Sequence, residues 1–500
     1  MTPTDAEDLQ RIGYRQELHR SLGWFSSFAA GFSFVSILTT VFQLFALGFS
    51  FGGPAFFWTW PLVFAGQLCV ALVFAELAST WPLAGCIYQW SRRLAGETVG
   101  WFAGWATLVG YVVSVAAIGI ALQAVLPAVW SGFQIVGDDP SITSASGAAN
   151  GILLGALLIA IATVISAVGV RVMALIMGIG VTLELIGVVV LLVLLFGNAE
   201  RGPAVVTETL EVSGDSPYVF AFLASTLMAA YVMYGFDSAA ELSEETSEPR
   251  RVVPAAILRA LLVSFVGGGL MIVAALMAAP SLTDGQLATG GIAYVITSRL
   301  DSSLGRMLLA VVAIAIVSAC LAIQNSASRV MFSMARDGRL PGARRLARVS
   351  SRTGTPILTG IAVSALALGV LLINLGNPAA FAAITSTSVV IVYLAYLLVT
   401  VPALHARLRW PQGLPPQRVG GFSLGRWGLP VNVLAVVYGA VMMVNIAWPR
   451  QAVYDPAGTS WVLQYLALFF VAALVVVGLV VHRLLRARVA PAAVTAVAQR

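Results

Sequence analysis

Long apolar runs separated by short polar breaks recur along nearly the whole chain. They lie near 25–49, 54–78, 99–129, 150–168, 172–197, 217–243, 254–279, 305–334, 356–374, 379–402, 428–447 and 461–482. Each approaches or exceeds the roughly 20 residues with which a helix crosses about 30 Å of hydrocarbon. The pattern predicts an all-α polytopic membrane protein with twelve transmembrane helices. A 1–23 amino-terminal segment and a 483–500 carboxy-terminal tail flank a membrane domain over 24–482. An even number of crossings puts both termini on the same side.

Two runs break their own pattern. The sixth contains "YVMYGFDSAAELSEETSEPRR", residues 231–251, where Gly-Phe-Asp interrupts an apolar helix and glutamates follow. Hydrocarbon tolerates backbone groups released from a helix only where protein or a water-filled cavity replaces the lost bonds. A break at Gly235 therefore implies a cavity, with the amides of one half-helix available to an anion and the carbonyls of the other to a cation. The plainer reading is a kink, because Asp237 and Ser238 are also favoured caps for a helix that restarts there. Tyr231, Tyr234 and Phe236 surround the break, either as packing or as rings that close over a ligand. In the first span, "SFVSILTTVF" (33–42) places Ser33, Ser36, Thr39 and Thr40 in an apolar run. Such hydroxyls bond their own helix or line a site. This stretch lies five spans before the sixth, and corresponding interruptions in two halves of a chain point to a transporter site.

Glu184, in "MGIGVTLELIGVVV", falls near the middle of the fifth span. An acidic residue at a helix centre costs about 2.5–3.5 kcal/mol on insertion scales, so it is expected to be paired, hydrated or protonated. Proton coupling, contact with a ligand ammonium, and a neutral structural role bonded to a neighbouring helix all fit it. Glu241, Glu244 and Glu245 follow the sixth-span break toward the arginine-rich side, where Arg250, Arg251 or Arg329 would pair with them.

Composition agrees with the span pattern: 59% of residues are hydrophobic and 10% charged, against about 25% charged in soluble domains. All 28 basic residues are arginine. With a cytosolic amino terminus, every arginine except Arg201, Arg299, Arg306 and Arg450 lies in or beside a cytosolic segment. That asymmetry follows the positive-inside rule and predicts a multi-pass protein of the cytoplasmic (inner) membrane with both termini cytosolic. The opposite loops carry Asp138, Asp139, Glu200, Glu208, Glu211, Asp215, Asp284, Asp301 and Asp455. The net charge of +6 is thus a topology signal and does not point to nucleic acid. The charged first 23 residues have no apolar core of a removable signal peptide. Cys69, Cys86 and Cys320 are too scattered for a disulfide framework or a zinc site. His19, His405 and His482 fall outside or at the ends of spans, so neither metal nor cofactor is expected.

Taken together, "SFVSILTT" leading to "FGGP", "FAELASTWPLAGCIYQWSRRLAGETVGWFAGW", "YGFDSAAELSEETSEPRRVVPAAI" and "SASRVMFSMARDGRLP" resemble the amino acid permeases of the amino acid–polyamine–organocation superfamily. The amino acid/choline transporter group is the most similar branch. The resemblance implies a leucine-transporter-type fold, with spans 1–5 and 6–10 as inverted repeats, broken helices 1 and 6, and two additional helices. It implies a substrate site formed by Ser36, Ile37, Leu38, Thr39 and Thr40 together with Tyr231, Tyr234, Gly235, Phe236 and Asp237. Tyr231 matches the aromatic that closes over substrate from outside in relatives. Glu184 matches a lysine position used by some proton-coupled relatives, with the charge reversed. Ser318, Asn325 and Ser326 of the eighth span are expected to line the neighbouring cation site. Many relatives have a glycine-rich break in the first span, where this chain has Leu38, Thr39 and Thr40. "STWPLAGCIYQWSRRL" is expected to form an amphipathic cytosolic segment in which an arginine pairs with Glu76.

The expected function is secondary active transport of an amino acid or related amine by alternating access, as proton-coupled import. Its partners are that small-molecule substrate, a coupling proton and the lipid bilayer; the oligomeric state is left open. The rivals are a choline, ethanolamine or polyamine permease and a non-transporting sensor with the same fold.

Overall fold

The computed structural model describes residues 5–497 except 143, 213, 215, 301, 377, 410–420, 456–457 and 459, with side chains described except at 8, 376–383, 386 and 486–497. The outermost residues of both termini, together with Asp215, Asp301 and Arg418, lie outside the described residues.

The amino-terminal segment carries α1 (Asp5–Arg11). The first span is in two pieces, α2 (Trp24–Val35) and α3 (Ile37–Gly52). A tight turn at Pro54–Trp58 leads into the second span, α4 (Thr59–Thr80), and α5 (Cys86–Ala95) follows it. Spans three to five are α6 (Glu97–Val129), α7 (Ala145–Val168) and α8 (Val170–Gly197). The sixth is again divided, into α9 (Tyr218–Val232) and the single turn α10 (Ser238–Glu241). The seventh span α11 (Pro249–Ala278) is joined through α12 (Gly285–Arg299) to the eighth, α13 (Ser302–Arg336). Next come α14 (Ala343–Leu346), α15 (Ile357–Leu371) with α16 (Ile373–Gly376), and α17 (Pro378–Arg409). The last two spans are α18 (Gly428–Ala447) and α21 (Leu466–Val497), separated by α19 (Gln451–Tyr454) and α20 (Trp461–Gln464).

Among the described residues, eleven helical segments are long and apolar enough to cross a membrane, and α9 is a shorter apolar helix. The sixth expected span falls short because residues 233–237 separate α9 from the single turn α10, whereas the first is interrupted at Ser36 alone. Apolar side chains face outward as well as inward: Val164, Leu175, Val193, Leu434 and Val476 are exposed, as suits a surface solvated by lipid tails. Trp58, Trp130, Trp427 and Trp448 are exposed near span ends, the usual place of interfacial aromatics. At the centre, α13 buries every residue from Ser318 to Ala335, so protein surrounds that stretch on all sides. The arrangement is the five-plus-five inverted repeat, and the first span of each repeat is the divided one.

The segment after the second span is less peripheral than expected. Cys86 through Ser91 of α5 are buried, and Glu76 pairs with Arg407 of α17 rather than with an arginine of that connection. Arg407 also donates to Asn432 Oδ1 at 3.1 Å. The partner came from far along the chain because α4 and α17 are packed side by side.

Candidate substrate and coupling site

Ser36 sets the break in the first span. Its backbone lies at φ 40°, ψ 75°, a left-handed conformation that costs L-residues about 1–2 kcal/mol. The unwinding therefore falls on a serine without a glycine, and Leu38, Thr39 and Thr40 form the first turn of α3. Hydroxyls replace part of the lost ladder. Thr40 Oγ1 donates to the Val35 and Ser36 carbonyls, each at 3.0 Å, and Ser36 Oγ lies 2.8 Å from Thr39 Oγ1.

Glu184 reaches this break from α8. Its Oε1 accepts the Leu38 amide and the Ser36 hydroxyl, both at 3.1 Å. The start of a helix carries partial positive charge from unpaired amides, so an acidic group is favoured there. Glu184 Oε2 is buried and has no hydrogen-bond partner among the described residues. A buried oxygen left this way costs about 1–3 kcal/mol, more if charged, until a proton or donor meets it.

In the sixth span the helix stops at Val232 and resumes at Ser238. Gly235 lies at φ 88°, and the Phe34 ring occupies the space a Cβ would need. Conformation and packing both demand glycine. The Gly235 amide donates to the Tyr396 hydroxyl at 2.9 Å. Tyr396 donates onward to Asp237 Oδ1, and Tyr111 donates to Oδ2 at 2.6 Å. Asp237 precedes α10 but makes no side-chain cap bond; its carboxylate is turned to the two tyrosines, which disposes of the simple capping reading.

Phe34 links the two breaks, with ring centroids 5.1 Å from Tyr111 and 5.8 Å from Tyr234. Tyr234 is only partly buried, and its hydroxyl lies 3.4 Å from Ser114 Oγ. The Tyr231 hydroxyl lies 3.5 Å from that of Tyr454 in α19. Phe236 turns away, against Phe74 at 6.1 Å and Tyr396 at 5.7 Å. Of the eighth-span candidates, Ser318 lies against Gly180, one turn before Glu184. Asn325 instead donates to Ser166 Oγ at 3.0 Å and accepts from Arg329 at 2.7 Å, and Ser326 donates to its own helix at Ala322. Both are about two turns past Ser318, or roughly 10–12 Å at 1.5 Å per residue, and the structure does not bring them to Glu184.

Beneath the breaks, the arginine-rich face is closed. Arg329 bonds Glu245 at 2.8 Å, with both side chains almost wholly buried. Arg336 forks onto both oxygens of Glu244 at 2.8 Å. Among the described residues Glu241 pairs with no arginine: it accepts from the Gly85 amide at 2.7 Å and the Cys86 thiol at 3.1 Å. Arg250 donates to the Ser79 and Thr80 carbonyls, so the expected pairing holds for Glu245 with Arg329, while Glu244 takes Arg336. Cys86, Asp237 and Glu241 bring potential metal-ligating atoms within 4.8 Å of one another, but tyrosine, thiol and amide donors already engage both carboxylates. The amino-terminal segment seals the face. Leu22 pairs with Thr246 in an isolated parallel bridge, and Tyr14 donates to Asp337 at 3.0 Å under the Arg336 guanidinium, 4.1 Å above its ring. Burial, with the charge of Asp337 adding to it, raises the Tyr14 phenol above its ordinary value.

The residues that sequence reasoning missed are Phe34, Tyr111, Ser114, Tyr396 and Tyr454. Tyr111 and Tyr396 did leave a signal, since a phenol in mid-span needs a partner and Asp237 needed donors.

Two spans broken at facing points inside an all-helical bundle are the architecture of a secondary transporter. A family model described as amino acid permease matches residues 22–483, and the chain belongs to that family. Its relatives include amino-acid permease BAT1 of Arabidopsis thaliana, 29% identical over 88% of this chain and 88% of that one. Amino-acid permease 2 of Neurospora crassa is 26% identical over 94% of this chain and 86% of that one. Among solved structures, that of MhsT in complex with L-phenylalanine is similar, with a TM-score of 0.56 at 14% identity, covering 86% of this chain and 99% of that chain. The shared fold is the leucine-transporter type.

Proposed function

We propose that this permease imports an amino acid or related amine with a proton, by alternating access around the space between the two breaks. Both termini are cytosolic in the cytoplasmic membrane. Ser36 through Thr40 and Tyr231 through Asp237 form the two sides of the site, with Tyr231 and Tyr454 on its outer side and the Glu244 and Glu245 ion pairs on its inner side. The bonding of Glu184 supports the coupling. As an anion it holds the Leu38 amide and the Ser36 hydroxyl, the donors a substrate carboxylate needs. On taking up a proton, which its unpartnered Oε2 accommodates, it accepts less strongly and releases them. Proton and substrate binding then favour each other, and acidic pH on the loading side raises affinity. At the end of α9 the Ala229 and Val232 carbonyls accept the Met233 and Tyr234 amides and the Ala230 carbonyl accepts the Tyr393 hydroxyl at 3.4 Å, so the substrate ammonium is assigned to the Tyr231 carbonyl at the break.

The observation carrying this reading is the Glu184 carboxylate at the head of α3. It also favours a second reading, because a side chain that already fills the anion position leaves room for a cation without a carboxylate, held by Tyr231, Tyr234 and Phe34 rings. Competition among labelled gamma-aminobutyrate, arginine and choline in proteoliposomes separates the two. Glu184→Gln is expected to abolish pH-driven accumulation while keeping exchange. Undiminished pH-driven accumulation in that variant removes Glu184 from the coupling.

A further inference from the structure

We propose that the seam between α2 and α8 is a binding site for an anionic phospholipid, with its phosphate at the amino terminus of α2 and its acyl chain along α8. A groove of about 540 Å³ lies there, within the roughly 300–1,000 Å³ usual for small-molecule sites. Its apolar wall includes Phe25, Leu175 and Ile179. Leu175 and Ile179 are 62% and 52% exposed, so the trough opens sideways to lipid.

One end of the groove is polar in a way that suits phosphate. Gly23 gives α2 no side-chain cap. The first bond of the helix runs from the Ser27 amide to the Gly23 carbonyl at 3.1 Å, which leaves the amides of Trp24, Phe25 and Ser26 ahead of it. Ser21 lines the groove, and its hydroxyl oxygen is buried with no partner among the described residues. Across the seam, Arg171 lines the same groove from the first turn of α8; it is exposed. Amides at a helix start, a hydroxyl and a guanidinium are phosphate-binding chemistry. Trp24, 61% exposed beside them, marks the headgroup level. A free phosphate has no use for the adjoining apolar trough, whereas a phospholipid fills both parts.

The site has a consequence for transport. α2 is the half-helix below the Ser36 break, and α8 carries Glu184. A lipid spanning the seam holds the two together and opposes opening of that face.

Native mass spectrometry of the purified protein with dioleoylphosphatidylglycerol and dioleoylphosphatidylcholine tests the assignment. The expected result is preferential retention of phosphatidylglycerol, weakened about five-fold by Arg171→Gln, in keeping with one arginine near an anionic surface, with phosphatidylcholine unaffected. Ile179→Trp, which fills the trough without touching charge, is expected to lower phosphatidylglycerol retention as well. Equal retention of the two lipids by the unaltered protein, or unchanged phosphatidylglycerol affinity in Arg171→Gln, overturns the proposal. Displacement of the lipid by millimolar inorganic phosphate also overturns it, in favour of a free-anion site.

Discussion

Replacing Arg329 with methionine tests the proposed gating role of its buried pair with Glu245. Arg329 and Glu245 are 2% and 0% exposed at the side chain and meet through one contact of 2.8 Å. Removing one partner of a buried pair leaves an uncompensated charge and costs about 3–5 kcal/mol, whereas replacing both partners is often close to neutral. Glu245 regains water only if α10 and the segment after it move away from α13, so the cost falls on the closed form. Since 1.4 kcal/mol is a factor of ten, a cost of about 3–5 kcal/mol is expected to raise the open population roughly 10²- to 4 × 10³-fold in Arg329→Met. Cys86 supplies the readout: it is fully buried behind this gate, bonded to Glu241. In a Cys69→Ser background, a membrane-permeant maleimide is expected to label Cys86 far faster in Arg329→Met, while Arg329→Met with Glu245→Gln returns the rate to within about tenfold of the parent. Equal labelling rates in the single and double variants would refute the idea that this pair closes the gate.

Tyr111→Phe and Tyr396→Phe each strip one donor from the buried Asp237 carboxylate; each is expected to cost about 1–3 kcal/mol, read as a lower thermal midpoint in detergent. The pair is expected to be non-additive, because both act on one carboxylate. Gly235→Ala adds a Cβ at φ 88° against the Phe34 ring; it is expected to lose substrate uptake and about 2–4 kcal/mol of stability, with Phe34→Ala restoring part of the stability and none of the backbone strain. Tyr14→Phe keeps the ring under Arg336 but removes the hydroxyl bonded to Asp337. It is expected to cost about 0.5–1.5 kcal/mol and to speed Cys86 labelling by less than tenfold.

Hydrophobic patterning carried the architecture a long way. Run lengths defined the spans, and the interruption at Gly235 marked the sixth because glycine beside an acid is costly in hydrocarbon unless something replaces the helix bonds. The first-span break was harder to place. Ser36 takes a left-handed conformation with no glycine to announce it, held by Glu184 from 148 positions away. Local propensity is blind to a partner that distant. Asp237 shows the same limit from the other side: its neighbours suggested a cap, while its bonds go to Tyr111 and Tyr396 on two other spans. Likewise Glu76 found Arg407 because helix packing, not sequence proximity, decides which charges meet.

The pairing of Glu184 with Ser36 and Leu38 also bears on how the chain is made. All three belong to the first five spans, so this acid and its bonded partners are synthesised before any of the second repeat. Asp237 likewise enters the bilayer after Tyr111 is already in place. Glu244 and Glu245 emerge well ahead of Arg329 and Arg336, and a nascent chain halted between them holds two carboxylates with their guanidinium partners still unsynthesised. Synthesis thus completes the bonded set around Glu184 early and the Glu245–Arg329 and Glu244–Arg336 pairs late, which makes the stretch from Glu244 to Arg336 the interval in which insertion most needs a protected environment.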